Sequence, residues 1–160
     1  MFNFAKFLCS STLLACLFLV TVSPSSLAAT DGWLITAEEA KLQFRENSYA
    51  DPVAATEGPG PVIVLKHPKM LKRLRSPIDI FIAFEPGKSG KPANMETLKV
   101  TLIGFIDINI TDRLREYIKG SNLDVEAAKL PSGKHRLRMR IKDIDGNPNE
   151  RDVIVTVLDD

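Results

Sequence analysis

From Val62 to Val157 the apolar positions recur with a period of two. Ile78, Ile80, Ile82 and Phe84 alternate with Asp79, Phe81 and Ala83. Leu98, Val100 and Leu102 alternate with Lys99 and Thr101, and Leu123 and Val125 with Asp124 and Glu126. Leu137, Met139 and Ile141 alternate with Arg136, Arg138 and Arg140, and Val153, Val155 and Val157 with Ile154 and Thr156. Val62-Ile63-Val64-Leu65 is a continuous apolar run of strand length. A single apolar face per run is the signature of antiparallel strands closing over a shared core. Turn signals separate the runs: Pro86-Gly87, Ser89-Gly90, Pro131-Ser132-Gly133 and Asp145-Gly146-Asn147-Pro148. Six strands in roughly 100 residues predict a mainly β chain built as a two-sheet antiparallel sandwich, with a barrel as the alternative.

Two segments have helical character. Thr36-Ala37-Glu38-Glu39 is a capping box, in which the Thr36 hydroxyl accepts the Glu39 amide while the Glu39 carboxylate reaches back. It predicts a short N-terminal helix to about Arg45, with Ala37, Ala40 and Phe44 on one stripe. So short a helix needs something to pack on. The expectation is that it docks on the body together with Trp33, the alternative being a mobile recognition arm. The second segment runs from Thr111, a capping residue, to Gly120, a left-handed stop, and predicts one crossover helix burying Leu114, Tyr117 and Ile118. Residues 46–61 have no period and three prolines, and read as a linker.

The first 28 residues differ from all the rest. Lys6 is their only charge, an apolar run follows from Phe7 to Val22, and Ser26-Leu27-Ala28 places small residues where signal peptidase reads them. The expectation is a signal peptide over residues 1–28, an arm with helix and linker over 29–61, and a sandwich domain over 62–160. The exported chain would be periplasmic or secreted, with no permanent membrane anchor. Leu13-Leu14-Ala15-Cys16 resembles a lipobox, so lipidation of Cys16 is the competing reading, although the apolar Leu17-Phe18-Leu19-Val20 that follows is a poor tether. Both cysteines, Cys9 and Cys16, fall in this stretch; the remaining 132 residues have no thiol and carry 20 charges of each sign. That excludes thiol chemistry and argues against a general polyanion binder, while leaving room for local patches.

Several stretches resemble a bacterial immunoglobulin-like or cadherin-like domain over about residues 61–158: Ser76-Pro77-Ile78-Asp79-Ile80, Leu130-Pro131-Ser132-Gly133-Lys134-His135 and Asp143-Ile144-Asp145-Gly146-Asn147. In such domains an L-P-x-G turn opens the penultimate strand and a D-x-x-G-N turn joins it to the last. The resemblance implies an immunoglobulin-like sandwich and is nearly silent on function. Periplasmic copper-resistance proteins share this shape and carry D-G-H-P in the last hairpin. Here Asn147 stands at the histidine position, in Asp145-Gly146-Asn147-Pro148, so the resemblance stops short of the copper site.

The candidate chemistry is thin. His67 sits among cations in Lys66-His67-Pro68-Lys69 with no nucleophile nearby in sequence. His135 has the inward parity of Leu137 and Met139 and reads as a core histidine. Two isolated histidines make neither a metal site nor a triad. Asp143, Asp145 and Asn147 offer oxygen at alternate positions and are weak calcium candidates. Their spacing departs from the usual loop, and a hairpin turn explains them as well. No phosphate loop and no nucleophile motif surrounds Ser89 or Ser132. The expectation is a non-catalytic binding or envelope structural module without cofactor, the alternative being a calcium- or copper-binding domain on the same scaffold.

Charge is the informative feature. Lys134, Arg136, Arg138, Arg140 and Lys142 share one parity and span about 27 Å, with Lys99 on a neighbouring strand. Asp79, Asp124 and Glu126 mark outward faces expected in the opposite sheet. Arg136, Arg138, Arg140, Lys99 and Lys142 are therefore the candidate binding residues, facing another envelope protein or an anionic surface. Nucleic acid is not expected, for want of exposed stacking aromatics. An acid of the same chain set beside the ladder would instead make it an internally neutralised face. A second basic cluster, Lys66 to Arg75, interleaves Met70, Leu71 and Leu74.

Overall fold

The alternating segments hydrogen-bond into two sheets in a computed structural model that describes residues 32–43 and 58–159. The strands are β1 (Val62–His67), β2 (Ile78–Glu85), β3 (Ala93–Ile103), β4 (Ile108–Asn109), β5 (Ile118–Lys119), β6 (Asn122–Ala128), β7 (Gly133–Asp143) and β8 (Pro148–Val157). One sheet has the order β1-β2-β6-β5 and the other β4-β3-β7-β8, with every pairing antiparallel. Lettered in chain order, these are strands ABED facing C′CFG, the immunoglobulin-like sandwich. The inward parity is the one the sequence gives. Ile82, Phe84, Val100, Leu102, Leu123, Val125, Met139, Ile141, Val153 and Val155 are all at most 5% exposed. Leu137 packs on this core but remains partly exposed. The expected leader, with Cys9 and Cys16, lies outside the described residues.

The crossover helix is present but shorter than expected. Only Thr111–Leu114 is α-helical (α2), continued by a 3₁₀ turn at Arg115–Tyr117. Ile118 and Lys119 then pair with Leu123 and Asn122 as the edge strand β5, and Gly120, at φ +59°, turns the chain back toward β6. A hairpin packs the partly buried Ile118 against the core and satisfies its backbone, whereas a helix of this length has little cooperative stability of its own. Thr111 does not cap either. Its hydroxyl accepts the Val100 N–H at 2.8 Å and lies 2.6 Å from Asn109 Oδ1, stitching the helix start to β3.

The N-terminal helix (α1, Ala37–Gln43) docks on the sandwich. Its capping box forms as expected, with Thr36 N–H on Glu39 Oε2 at 2.9 Å and Glu39 N–H on Thr36 Oγ1 at 3.3 Å. The buried stripe is Ala40 and Gln43 rather than Ala37, which faces solvent; Phe44 and Arg45 are outside the described residues. Leu34 and Ile35, just before the helix, are 7% and 0% exposed and belong to the core. Leu34 N–H donates to the Lys129 carbonyl, and Lys129 N–H to that of Gly32, at 3.1 and 3.0 Å.

The end of the expected linker is packed as well. Gly58 N–H donates to Asn149 Oδ1, Gly60 N–H to the Pro148 carbonyl, and Asn149 Nδ2 to the Pro61 carbonyl. Ser89 N–H closes on the Pro59 carbonyl at 3.0 Å. Backbones meet so closely that a Cβ on Gly87 would overlap the Gly60 carbonyl. The alternating Gly-Pro composition of residues 58–61 thus reflects close backbone packing as much as a lack of regular structure.

Candidate functional site

Strands β3, β7 and β8 place the predicted cations on one face. In the β7–β8 register Arg138 lies opposite Asp152 and Arg140 opposite Glu150. These acids share the outward parity of Ile154 and Thr156, so extending the alternation of β8 two steps toward its start finds them from sequence alone. Asp152 Oδ2 accepts Arg136 Nη2 at 2.6 Å and Nε at 3.0 Å, and its Oδ1 accepts Arg138 Nε at 2.8 Å. Arg138 Nε is also 3.1 Å from Glu150 Oε1, and Arg140 Nε donates to Glu150 Oε2. The Arg136 and Asp152 side chains are only 8% and 5% exposed. Arg138 and, after the opposing effect of burial, Arg136 hold the Asp152 carboxyl below its usual range, and Asp152 in turn raises Arg138.

This corrects the open ladder. Each of its three arginines is paired along the sheet with Asp152 or Glu150, and Arg136 is withdrawn from the surface. The like-charge repulsion expected along β7 is relieved by cross-strand pairing on β8.

Lys99 and Lys142 differ. Lys99 lies opposite Arg140 and Lys142 opposite Asn94, flanking a register shift in β3 between Asn94 and Lys99. Thr97 fastens the irregular stretch, accepting the Lys142 N–H at 2.9 Å and donating to the Asn94 carbonyl at 2.7 Å. Lys99, Arg140 and Lys142 thereby line one shallow groove of about 470 Å³, with Thr97, Asn149 and Glu150. Among the described residues Lys99 and Lys142 make no ion pair.

The remaining candidates are absorbed by the fold. Asp143 is 1% exposed. Its Oδ1 accepts the N–H groups of Asp145 and Asn147 at 2.9 and 2.8 Å, and its Oδ2 accepts Ser89 Oγ at 2.6 Å and Asn147 Nδ2 at 2.9 Å. Burial would push its pKa up, but the donors from Ser89, Asn147 and Asp145 prevail and hold it at about 2. Asp145 turns to Lys91 at 3.3 Å. These contacts favour the turn reading of the three calcium candidates, with Asn147 as a donor that locks the hairpin. No group of three or more His, Cys, Asp or Glu is gathered among the described residues. His135 is fully buried between Gln43 and Pro131, while His67 is exposed at the end of β1. On the opposite sheet Asp79 accepts the Ala127 N–H and Asp124 pairs with Lys119.

No protein-family model matches the chain. No curated protein matches it either. Among solved structures it is similar to the PKD domain from the human VPS10 domain-containing receptor SorCS2, at 15% identity and a TM-score of 0.35, over 72% of this chain and 85% of that one. The immunoglobulin-like assignment rests on the strand order itself.

Proposed function

We propose that this chain is an exported, non-catalytic immunoglobulin-like binding module of the cell envelope, periplasmic or secreted, that docks an acidic protein partner. The observation that carries the reading is the contrast within one sheet face. Arg136 and Arg138 are consumed by the fold, while among the described residues Lys99 and Lys142 have no ion-pair partner at a groove beside Arg140. Unpaired cations next to a pre-formed groove favour a carboxylate-bearing partner and speed its encounter. The non-catalytic part draws on the described polar groups. Every buried side-chain nitrogen or oxygen among them has a hydrogen-bond partner, and the buried histidine is held by structural contacts.

The test is recovery of partners from the native envelope by the tagged protein, with Lys99→Glu plus Lys142→Glu as the comparison. The recovered partner, once purified, should associate with wild type at a rate that falls with salt and bind the double variant at least about tenfold more weakly. Equal binding of both forms would remove the groove from the reading.

A further inference from the structure

The segment between β1 and β2 carries a second basic surface, built differently from the groove. Residues 66–77 hold Lys66, Lys69, Lys72, Arg73 and Arg75 and no acid. Lys66 pairs with Glu85 at 2.7 Å. Lys69, Lys72, Arg73 and Arg75 are exposed and make no ion pair among the described residues. The segment is fixed to the outer edge of β8. Thr156 N–H donates to the Leu71 carbonyl, Leu74 N–H to that of Thr156, and Leu158 N–H to that of Leu74, at 2.8, 3.0 and 2.8 Å. Leu71 and Leu74 turn inward onto the core, while Met70 points out and is 75% exposed. Arg73 has a left-handed backbone, φ 61°, which a β-carbon disfavours, and it holds adjacent Lys72 and Arg73 side chains both exposed.

We infer that this segment is a peripheral site for an anionic lipid surface, with Lys69, Lys72, Arg73 and Arg75 at the headgroups and Met70 entering the interface. Four exposed cations around one projecting apolar side chain match the two terms of interfacial binding, Coulombic attraction to anionic lipid and burial of apolar area at the acyl boundary. The segment has no Phe, Tyr or Trp on which a base would stack, which disfavours nucleic acid. An acidic protein would satisfy the cations, but nothing about Met70 calls for one.

The experiment is co-sedimentation of the protein, as purified from its host, with vesicles of phosphatidylcholine alone or with about one third phosphatidylglycerol. Partitioning onto the anionic vesicles should exceed that onto neutral ones at least about tenfold. Lys69→Glu plus Lys72→Glu should remove most of that excess, since each cation near an anionic surface contributes about a fivefold gain. Met70→Gln, which leaves the charge unchanged, should weaken binding severalfold and provides the reading if the double variant does not fold. Lys99→Glu plus Lys142→Glu should leave partitioning unchanged, which separates this site from the groove. Equal binding to both vesicle types, or unaltered binding by both loop variants, would overturn the proposal. So would displacement from vesicles by a soluble polyanion at matched charge combined with indifference to Met70→Gln, because that pattern belongs to a general acidic partner.

Discussion

His135 and Gln43, 92 positions apart, meet side chain to side chain inside the protein, Nδ1 lying 2.7 Å from Oε1. The other ring nitrogen is 2.8 Å from the Pro131 carbonyl, and Gln43 Nε2 donates to the Ile103 carbonyl at 2.9 Å. The amide thus bridges α1 to β3 and β7 in a seam where histidine and glutamine are 0% and 5% exposed. Replacing Gln43 with Ala leaves a buried ring nitrogen and a strand carbonyl without their partner. The expected cost is about 2–3 kcal/mol in urea denaturation, since each orphaned buried group costs about 1–3 kcal/mol. A loss at surface values, below about 0.5 kcal/mol, would show that the helix does not depend on this contact.

The same histidine sets a pH dependence. Burial lowers its pKa, and the Pro131 carbonyl only partly offsets that. Both contacts are with neutral acceptor oxygens, so neither supplies a negative charge to offset that of a buried imidazolium. The unfolded ring, titrating near about 6.5, therefore takes up a proton before the folded one. Stability from this group is complete above that value and declines as pH falls through it toward the folded pKa. A second decline should follow below about pH 4, because Asp152, Glu39 and Asp143 are held below their unfolded values and lose their contribution as they protonate. Denaturation midpoints measured from pH 8 to 3 should show both steps, and His135→Gln should flatten the upper one while keeping the lower. An unchanged upper step in that variant would assign the step to another group.

Asp152 pairs with two guanidinium groups from a nearly enclosed position. Asp152→Ala should cost about 3–5 kcal/mol, as expected when one member of a buried ion pair is removed. Arg136→Met in the same background should recover part of the loss, because an uncompensated charge goes with it. A double variant no better than Asp152→Ala would show that Arg138, not Arg136, suffers from the missing carboxylate.

Glu39 holds the N-terminal helix from its other side. Arg113 donates to both of its oxygens, at 2.6 and 2.8 Å, and to the Leu34 carbonyl at 2.9 Å. Arg113→Ala should loosen residues 32–43 selectively. Hydrogen exchange of the α1 amides should quicken while amides of β3 and β7 keep their protection, at an expected cost of about 1–3 kcal/mol. Uniform loss of protection would mean that the helix and sandwich open as one unit.

The close approach of Gly87 to Gly60 gives a steric prediction. Gly87→Ala forces its Cβ into a carbonyl held by the β8 side of the last hairpin, and should cost at least about 1–3 kcal/mol. Thermal unfolding of the variant measures it; an unshifted midpoint would mean that the turn yields freely.

Much of this architecture was legible in the alternation of residues, because a half-buried strand imposes a two-residue period wherever it lies. The capping box was legible for a similar reason, since Thr36 and Glu39 interact within one turn. The errors have a common cause. Thr111–Gly120 carries local helix signals, but Ile118 is claimed by Leu123 across a hairpin, a relation that helix capping rules do not see. Gly58–Pro61 reads as linker because its partners, Gly87 and Asn149, are distant in sequence. The groove was half legible. Parity placed Lys99 and Lys142 on the outward face, but which cations stay unpaired depends on Glu150 and Asp152 standing opposite Arg140 and Arg138.

The outer edge of β8 has one further consequence. An exposed strand edge invites another polypeptide to extend the sheet through its main chain, a mode of recognition largely indifferent to sequence. Here Leu71 and Leu74 already occupy that edge, β4 and β5 are two residues long, and β1 ends in a register break beside Lys66. Backbone templating is therefore discouraged at each margin of the sandwich. For the binding role proposed above, recognition would then rest on side chains, so selectivity would be written in replaceable residues and could be retuned without disturbing the scaffold.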